Sequence, residues 1–195
     1  MTMARLWPFF DQFGGSGYLP AADYDPVWLR CLEATVDAIK TLAGDNRLPG
    51  IAATSVVLLE QPLVSLYFGT DDGSNELLAY PGIIVWPWSR ESVLDFSNIR
   101  EEIGYPVAVS FVDKGAGSTG TDAMVASRAE IRKHMLWRER VSRRFRKAVW
   151  SDISEVEQSN VQPDVYAIPE AYKNADLFHG ATIIDFQAFE GRDAE

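Results

Sequence analysis

Residues 115–120, Gly-Ala-Gly-Ser-Thr-Gly, match the G-x-G-x-x-G pattern of dinucleotide-binding loops. In such a loop the glycines let backbone amides approach a pyrophosphate at the start of a helix. Three features argue against that chemistry here. No strand ending in an acidic residue follows about 20 residues later, the pattern lies past the middle of the chain, and the flanking strands form no βαβ unit. We therefore interpret residues 115–120 as a connection between a strand and a helix, and we expect no cofactor.

The residue types that hold metals or act as acid–base catalysts are sparse. His134 and His179 are the only histidines, and no H-x-x-x-H or H-x-E spacing surrounds them. The single cysteine, Cys31, excludes an intrachain disulfide and a thiolate zinc cluster. Residues 70–76, Thr-Asp-Asp-Gly-Ser-Asn-Glu, lack the ligand spacing of a calcium loop and indicate a hairpin turn. We expect both histidines to be structural, and we predict neither a metal site nor an enzyme.

A basic segment is the most unusual feature of the chain. Residues 128–147 hold nine of the 18 Lys and Arg residues and only two acids, Glu130 and Glu139. That segment therefore carries +7, and because the whole chain carries −10, the remainder carries −17. A helical projection places most apolar residues on one broad arc and eight cations opposite. The arc comprises Ile131, His134, Met135, Trp137, Val141, Phe145, Ala148 and Val149.

Two residues do not fit this projection. Arg138 falls within the apolar arc, and Leu136 falls in the middle of the cationic side. An ordinary solvated helix face mixes both signs of charge, often as pairs four residues apart, and this face has few such pairs. We expect Leu136 to touch a partner, and we expect Arg138 to reach a carboxylate or a backbone carbonyl.

Three kinds of negative surface can cover the cations: acids of the same subunit, acids of another subunit, or the phosphates of a nucleic acid. The composition alone leaves these alternatives open. A second candidate contact is the aromatic segment near the N-terminus, because large apolar side chains are unfavourable in water. The predicted subunit or partner interface comprises Arg128, Arg132, Lys133, Leu136, Arg140, Arg143, Arg144 and Lys147, together with Trp7, Phe9, Phe10 and Phe13.

Length and composition indicate one folded domain. The chain has 195 residues, 47% hydrophobic and 24% charged, which allows a sizeable core. We divide it into an aromatic and Gly-rich arm at 1–24 and a single domain at 25–195. No apolar run approaches the ~20 residues that span a bilayer, and the N-terminus lacks the features of a signal peptide. These observations predict a protein without a membrane partner that is made in a reducing cytoplasm.

The elements expected to position these residues are two helices and several strands. Asp25 as N-cap and Pro26 as first residue predict a helix that ends near Gly44. The second helix is expected to run to about Trp150, with Ser118, Thr119, Thr121 or Asp122 as its cap. Predicted strands lie at 54–60, 62–69, 83–86, 105–114, 165–168 and 182–189. We interpret 88–104 as a loop or short helix and 151–160 as a connector. The fold class is α+β, a mainly antiparallel or mixed β-sheet packed by two α-helices, with an extended N-terminal arm.

This order of elements resembles the tail terminator (tail completion) proteins of long-tailed bacteriophages. The likeness spans residues 25–190 and rests on element order and on strand style, as in "YPGIIVWP", "YPVAVSFVDKG" and "VYAIPEAYKNADLFHGATIIDFQAFEGR". It implies a homo-oligomeric, hexameric ring in the tail and neck of the virion. Such a ring caps the tail tube protein and joins it to the head-side connector or stopper protein, while DNA passes through without specific binding. No catalytic or diagnostic motif is shared, so no site residue is carried over.

A ring requires complementary surfaces on each subunit. A head-to-tail contact that closes on itself needs two complementary patches on one subunit, and a cationic helix with an acidic remainder meets that need. We therefore expect the basic face to lie at subunit or partner contacts and not to be open to the channel. The alternatives are a nucleic-acid-binding regulator that uses residues 128–147 and, last, a dinucleotide-binding enzyme.

Overall fold

In a computed structural model, the structure describes residues 26–59, 80–88, 92–96, 100–114, 128–162 and 177–191. Two α-helices and six β-strands lie in these ranges. The helices are α1 (Val27–Gly44) and α2 (Arg128–Phe145). The strands are β1 (Val56–Leu58), β2 (Gly82–Pro87), β3 (Ser92–Phe96), β4 (Arg100–Lys114), β5 (Val156–Gln162) and β6 (Leu177–Gly191).

All six strands form one mixed sheet, in the order β1-β2-β4-β6-β5, with β3 beside β4. Strand β1 is parallel to β2, and the remaining pairs are antiparallel. The centre is the pairing of β4 with β6, in register from Arg100–Gly191 to Lys114–Leu177. Strands β2 and β3 occupy successive stretches of the other edge of β4. The α+β prediction, with a mixed sheet and two helices, is confirmed.

Both helices pack on the same face of the sheet. One core cluster contains the inward residues of α1, such as Ile39, and those of α2, such as Trp137, together with alternate residues of the strands, such as Phe111. A second, small cluster on the opposite face is built around Ile84 and Val112. Alternation along the strands therefore separates a helix-covered face from a second buried face.

Helix α1 follows the predicted pattern with a shift of one residue at its start. Pro26, with ψ 144°, occupies the N-cap position, and Val27 is the first helical residue. Leu32, Val36 and Ile39 are buried as the 3.6-residue period predicts, and Cys31 is buried beside them in the core. Beyond Gly44, Gly50 adopts φ +82°, a conformation that glycine tolerates best.

Two segments read as irregular are strands, so these predictions were wrong. Residues 92–96, within the predicted loop or short helix, form β3, and β4 begins at Arg100 instead of 105. Residues 156–162, mostly within the predicted connector, form β5. Both strands lie at the rim of the sheet, where one edge pairs with a long central strand. Pairing with β4 and β6 decides their structure, and local apolar patterning does not reveal it.

The end of α2 also differs from the expectation. The helix stops at Phe145 and not near Trp150, because Lys147 adopts φ 52° and turns the chain. Ala148 then forms an antiparallel bridge with Ser159 of β5, whose amide donates to the Ala148 carbonyl at 2.9 Å. The Trp150 indole donates to Ser159 Oγ at 2.8 Å. The end of α2 is thus attached to the rim of the sheet.

Several predictions fall outside the described residues. These are the arm at 1–24 with Trp7, Phe9, Phe10 and Phe13, the Asp25 cap, the strand at 62–69, the turn at 70–76, the loop at 115–120, the proposed caps of the second helix and the strand at 165–168. The predicted strands at 83–86 and 182–189 are confirmed within β2 and β6.

Candidate functional site

Helix α2 buries a narrower stripe than the projection predicted. His134, Trp137, Val141 and Phe145 are buried. Ile131 is 47% exposed, Met135 62% and Val149 79%, so their placement on the packing face was wrong. The geometric reason is that the buried residues of α2 form one narrow stripe along the helix, and Ile131 and Met135 lie on its flank. Val149 lies beyond the end of the helix.

Trp137 anchors the middle of α2. Its ring is fully buried and stacked near Phe111 of β4, with centroids 6.4 Å apart. Its Nε1 donates to the Pro49 carbonyl at 2.9 Å, in the loop that follows α1. One turn further along, Arg140 Nη1 donates to the Arg47 carbonyl at 2.7 Å. One flank of α2 is thus fixed to the α1 side of the molecule, and Arg140 is used within the chain.

A buried carboxylate binds the beginning of α2 to the sheet. Asp113, near the end of β4, accepts at Oδ2 from Lys133 Nζ at 2.6 Å and from His134 Nε2 at 2.8 Å. Because an ionised carboxylate only accepts, His134 Nε2 carries its proton. The His134 ring stacks on Phe178 with centroids 3.7 Å apart. Asp113 was not among the predicted site residues, although its alternation with Phe111 along β4 places it on the core-facing side of the sheet.

The surroundings of Asp113 favour its ionised form. Burial acts to raise the pKa of Asp113, but the hydrogen bonds from His134 and Lys133 and their charge outweigh it, and the pKa lies below its usual value. Asp113 binds both Lys133 and His134 and so connects β4 to α2. This arrangement is consistent with the structural role expected for His134. Lys133 is therefore paired with an acid of its own chain.

We expect Asp113→Asn to lower the free energy of unfolding at pH 7 by about 1.5–3 kcal/mol, as for hydrogen bonds to charged groups. Since folding lowers the pKa of Asp113, the stabilisation is present above about pH 4 and is lost as the pH falls through the folded-state pKa. Urea titrations of both proteins at several pH values measure the difference. If the difference in the free energy of unfolding between the native protein and Asp113→Asn increased as the pH fell, that result would contradict this assignment.

Most remaining cations of residues 128–147 are open to solvent. Arg132, Arg143, Arg144, Arg146 and Lys147 are exposed. Arg143 forms an ion pair with Glu139 at 2.6 Å on the same helix, and exposed pairs of this kind contribute little. Arg144 lies over the Trp150 ring at 4.9 Å. Arg128 begins the helix, and its side chain is outside the described set.

The two misfits are now located. Leu136 is half-buried, and its predicted contact with a partner stays a prediction. Arg138 is half-buried next to the exposed Met135 flank, and burial lowers the pKa of its guanidinium. Its Nε is buried and has no hydrogen-bond partner among the described residues. For this atom, the expected carboxylate or carbonyl is not supplied within the described parts of the chain.

His179 lies inside β6, opposite Val112 of β4. It belongs to the second face of the sheet and is 5% exposed. Desolvation lowers the pKa of His179 to about 4, so the imidazole is neutral at physiological pH. This buried position agrees with the expected structural role.

Neither helix in the described ranges is long and apolar enough to cross a membrane. Within those ranges no three His, Cys, Asp or Glu side chains are grouped so that they could hold a metal ion. No protein-family model and no curated protein sequence matches this chain. The surface of α2 is therefore the feature of this chain that bears on its function.

Proposed function

We propose that this protein is a structural subunit that associates with copies of itself, as a ring of the phage tail terminator type. In this role it would cap a tail tube, contact a head-side connector and perform no chemistry. The observation that supports self-association best is the composition of the α2 surface. Exposed aliphatic side chains, Ile131 and Met135, lie on the same helix as three exposed cations, and two more exposed cations, Arg146 and Lys147, follow directly after it.

This mixture favours a protein partner over nucleic acid. Phosphate contacts need cations and polar donors, and aliphatic side chains add nothing to them. A protein interface combines a central apolar contact with a charged rim. An acidic second copy supplies the opposite charge, because the chain outside residues 128–147 carries −17. The hexameric state and the tail location come from the resemblance of element order.

The second candidate is a nucleic-acid-binding regulator. It is favoured by one observation: Arg132, Arg146 and Lys147 are exposed, and the described residues give them no acidic partner. Such a face would bind duplex DNA with an affinity that falls steeply as salt rises.

Mass and DNA binding, measured on the same sample, separate these functions. We expect native mass spectrometry to give a single closed oligomer and fluorescence anisotropy to detect negligible binding to duplex DNA at ~150 mM salt. A monomer or dimer that binds DNA tightly, with binding lost at high salt, would overturn the ring and support the regulator. A monomer that binds no DNA would overturn both.

A further inference from the structure

One flank of α2 has a short row of side chains that are exposed or only half-buried. Ile131 is 47% exposed and Met135 62%, and they lie four residues apart on the same side of the helix. Arg138, three residues beyond Met135, continues the row. At 1.5 Å per residue, Met135 lies about 6 Å from Ile131 along the axis, and Arg138 about 4.5 Å further. We call these three residues the α2 row.

The row ends at a cation that is poorly satisfied. The Arg138 Nε is buried without a hydrogen-bond partner in the described residues. The Arg138 side chain as a whole is only half-buried, and a guanidinium pairs most strongly with a carboxylate, which can accept two parallel hydrogen bonds from it. The order of the α2 row is therefore apolar, apolar, cationic. A complementary partner would present two apolar groups followed by an acid at similar spacing.

The chain contains one such segment in its N-terminal arm. Residues 7–13 read Trp-Pro-Phe-Phe-Asp-Gln-Phe. In an extended strand-like segment, alternate residues point to one side about 6.6 Å apart, so Trp7, Phe9 and Asp11 would face the same surface. Pro8 favours an extended conformation at the residue before it. Methionine also makes favourable contacts with aromatic rings. The spacing and chemistry of this segment match the α2 row.

We propose that residues 7–11 of a second copy dock on the α2 row, with Trp7 against Ile131, Phe9 against Met135 and Asp11 paired with Arg138. The contact links one subunit to its neighbour by two different patches, as a closed ring requires. This inference rests on the proposed self-association and adds to it the segment and register that form the contact. Phe10 would face the other side of the segment.

Charge exchange tests the register. Asp11→Arg and Arg138→Glu should each raise the dissociation constant of the oligomer at least about tenfold, measured by analytical ultracentrifugation. The double variant, which restores an opposite pair, should recover most of the affinity. Arg146→Glu is the matched control, since it reverses an exposed cation near the end of the helix, outside the row. Equal losses from Arg138→Glu and Arg146→Glu, or a double variant no better than the single ones, would overturn the register.

Disulfide trapping tests whether the contact is between copies. Cys31 is fully buried, so Phe9→Cys with Met135→Cys adds one thiol on each side of the proposed contact. Mild oxidation should give covalent multimers on a non-reducing gel. Phe9→Cys with Val149→Cys is the control, because Val149 is more exposed but lies outside the row, and it should give few. A disulfide within one chain, or trapping no better than the control, would overturn the proposal.

The outcomes also distinguish this inference from the function on which it rests. If the native protein is monomeric at micromolar concentration, both the ring and the docking fail. If it is a closed oligomer whose stability is unchanged by Asp11→Arg and Arg138→Glu, the docking fails and the ring stands. If it is an oligomer and the charge exchange recovers the association, both stand.

Discussion

Replacing Trp137 by alanine should lower the free energy of unfolding by about 3–5 kcal/mol, the usual range for a fully buried tryptophan. The ring is 0% exposed and packs near Phe111 and His134. Its Nε1 is also the donor to the Pro49 carbonyl, which connects α2 to the loop after α1. The variant therefore leaves a cavity and removes a link between the two helical regions. Urea denaturation followed by circular dichroism measures the change.

Trp137→Phe is the matched control for this prediction. Phenylalanine keeps most of the buried surface but lacks the donor, so we expect a loss of about 1–2 kcal/mol, which combines one hydrogen bond and some packing. A Trp137→Ala loss below about 1 kcal/mol would contradict the central place given to this residue in the core. A loss for Trp137→Phe equal to that for Trp137→Ala would show that the hydrogen bond outweighs packing.

The protein should lose about 3 kcal/mol of stability through His179 alone as the pH falls from about 6.5 to about 4. Burial lowers the pKa of His179 to about 4 in the folded protein, whereas an unfolded histidine has a pKa near 6.5. Between these values the unfolded chain binds a proton that the folded chain does not, so acid favours unfolding. The stabilisation is fully present above about pH 6.5 and is lost as the pH falls towards the folded-state pKa.

His179→Gln isolates this contribution, because glutamine is polar and does not titrate. Denaturation at several pH values should show a shallower fall in stability for the variant between pH 6.5 and 4, and parallel behaviour above pH 7. The difference in slope is the test, and the absolute stability of the variant is not. Identical slopes in the native protein and the variant would contradict the assignment of a neutral, buried His179.

The sequence predicted those elements of the fold whose apolar residues follow a helical or strand pattern. Helix α1 has a 3.6-residue apolar period, and the apolar segments 83–86 and 105–114 are strands. Local patterns did not reveal strands β3 and β5, whose paired residues are 5 to 12 positions away for β3 and 21 to 32 positions away for β5. Pairing with β4 and β6 stabilises them, and only the three-dimensional arrangement shows this.

Local sequence patterns also predicted only part of the α2 surface. Charge and period predicted an amphipathic helix with a cationic side, and Arg138 was already recognisable as a misfit. The projection placed Ile131 and Met135 in the packing face because it assumes a broad arc, whereas the real contact with the sheet is narrow. Asp113 was missed because its partners, Lys133 and His134, follow 20 residues later on another element. Cross-element pairs of this kind leave no local trace in one sequence.

Electron microscopy of the purified protein tests the central claim most directly, because ring symmetry and the position of α2 can be read from one reconstruction. We predict a closed ring of identical subunits, with the α2 row and its exposed cations at the boundaries between neighbours. A particle of one subunit, or a ring in which Arg132, Arg143 and Arg146 line an open channel, would contradict the account.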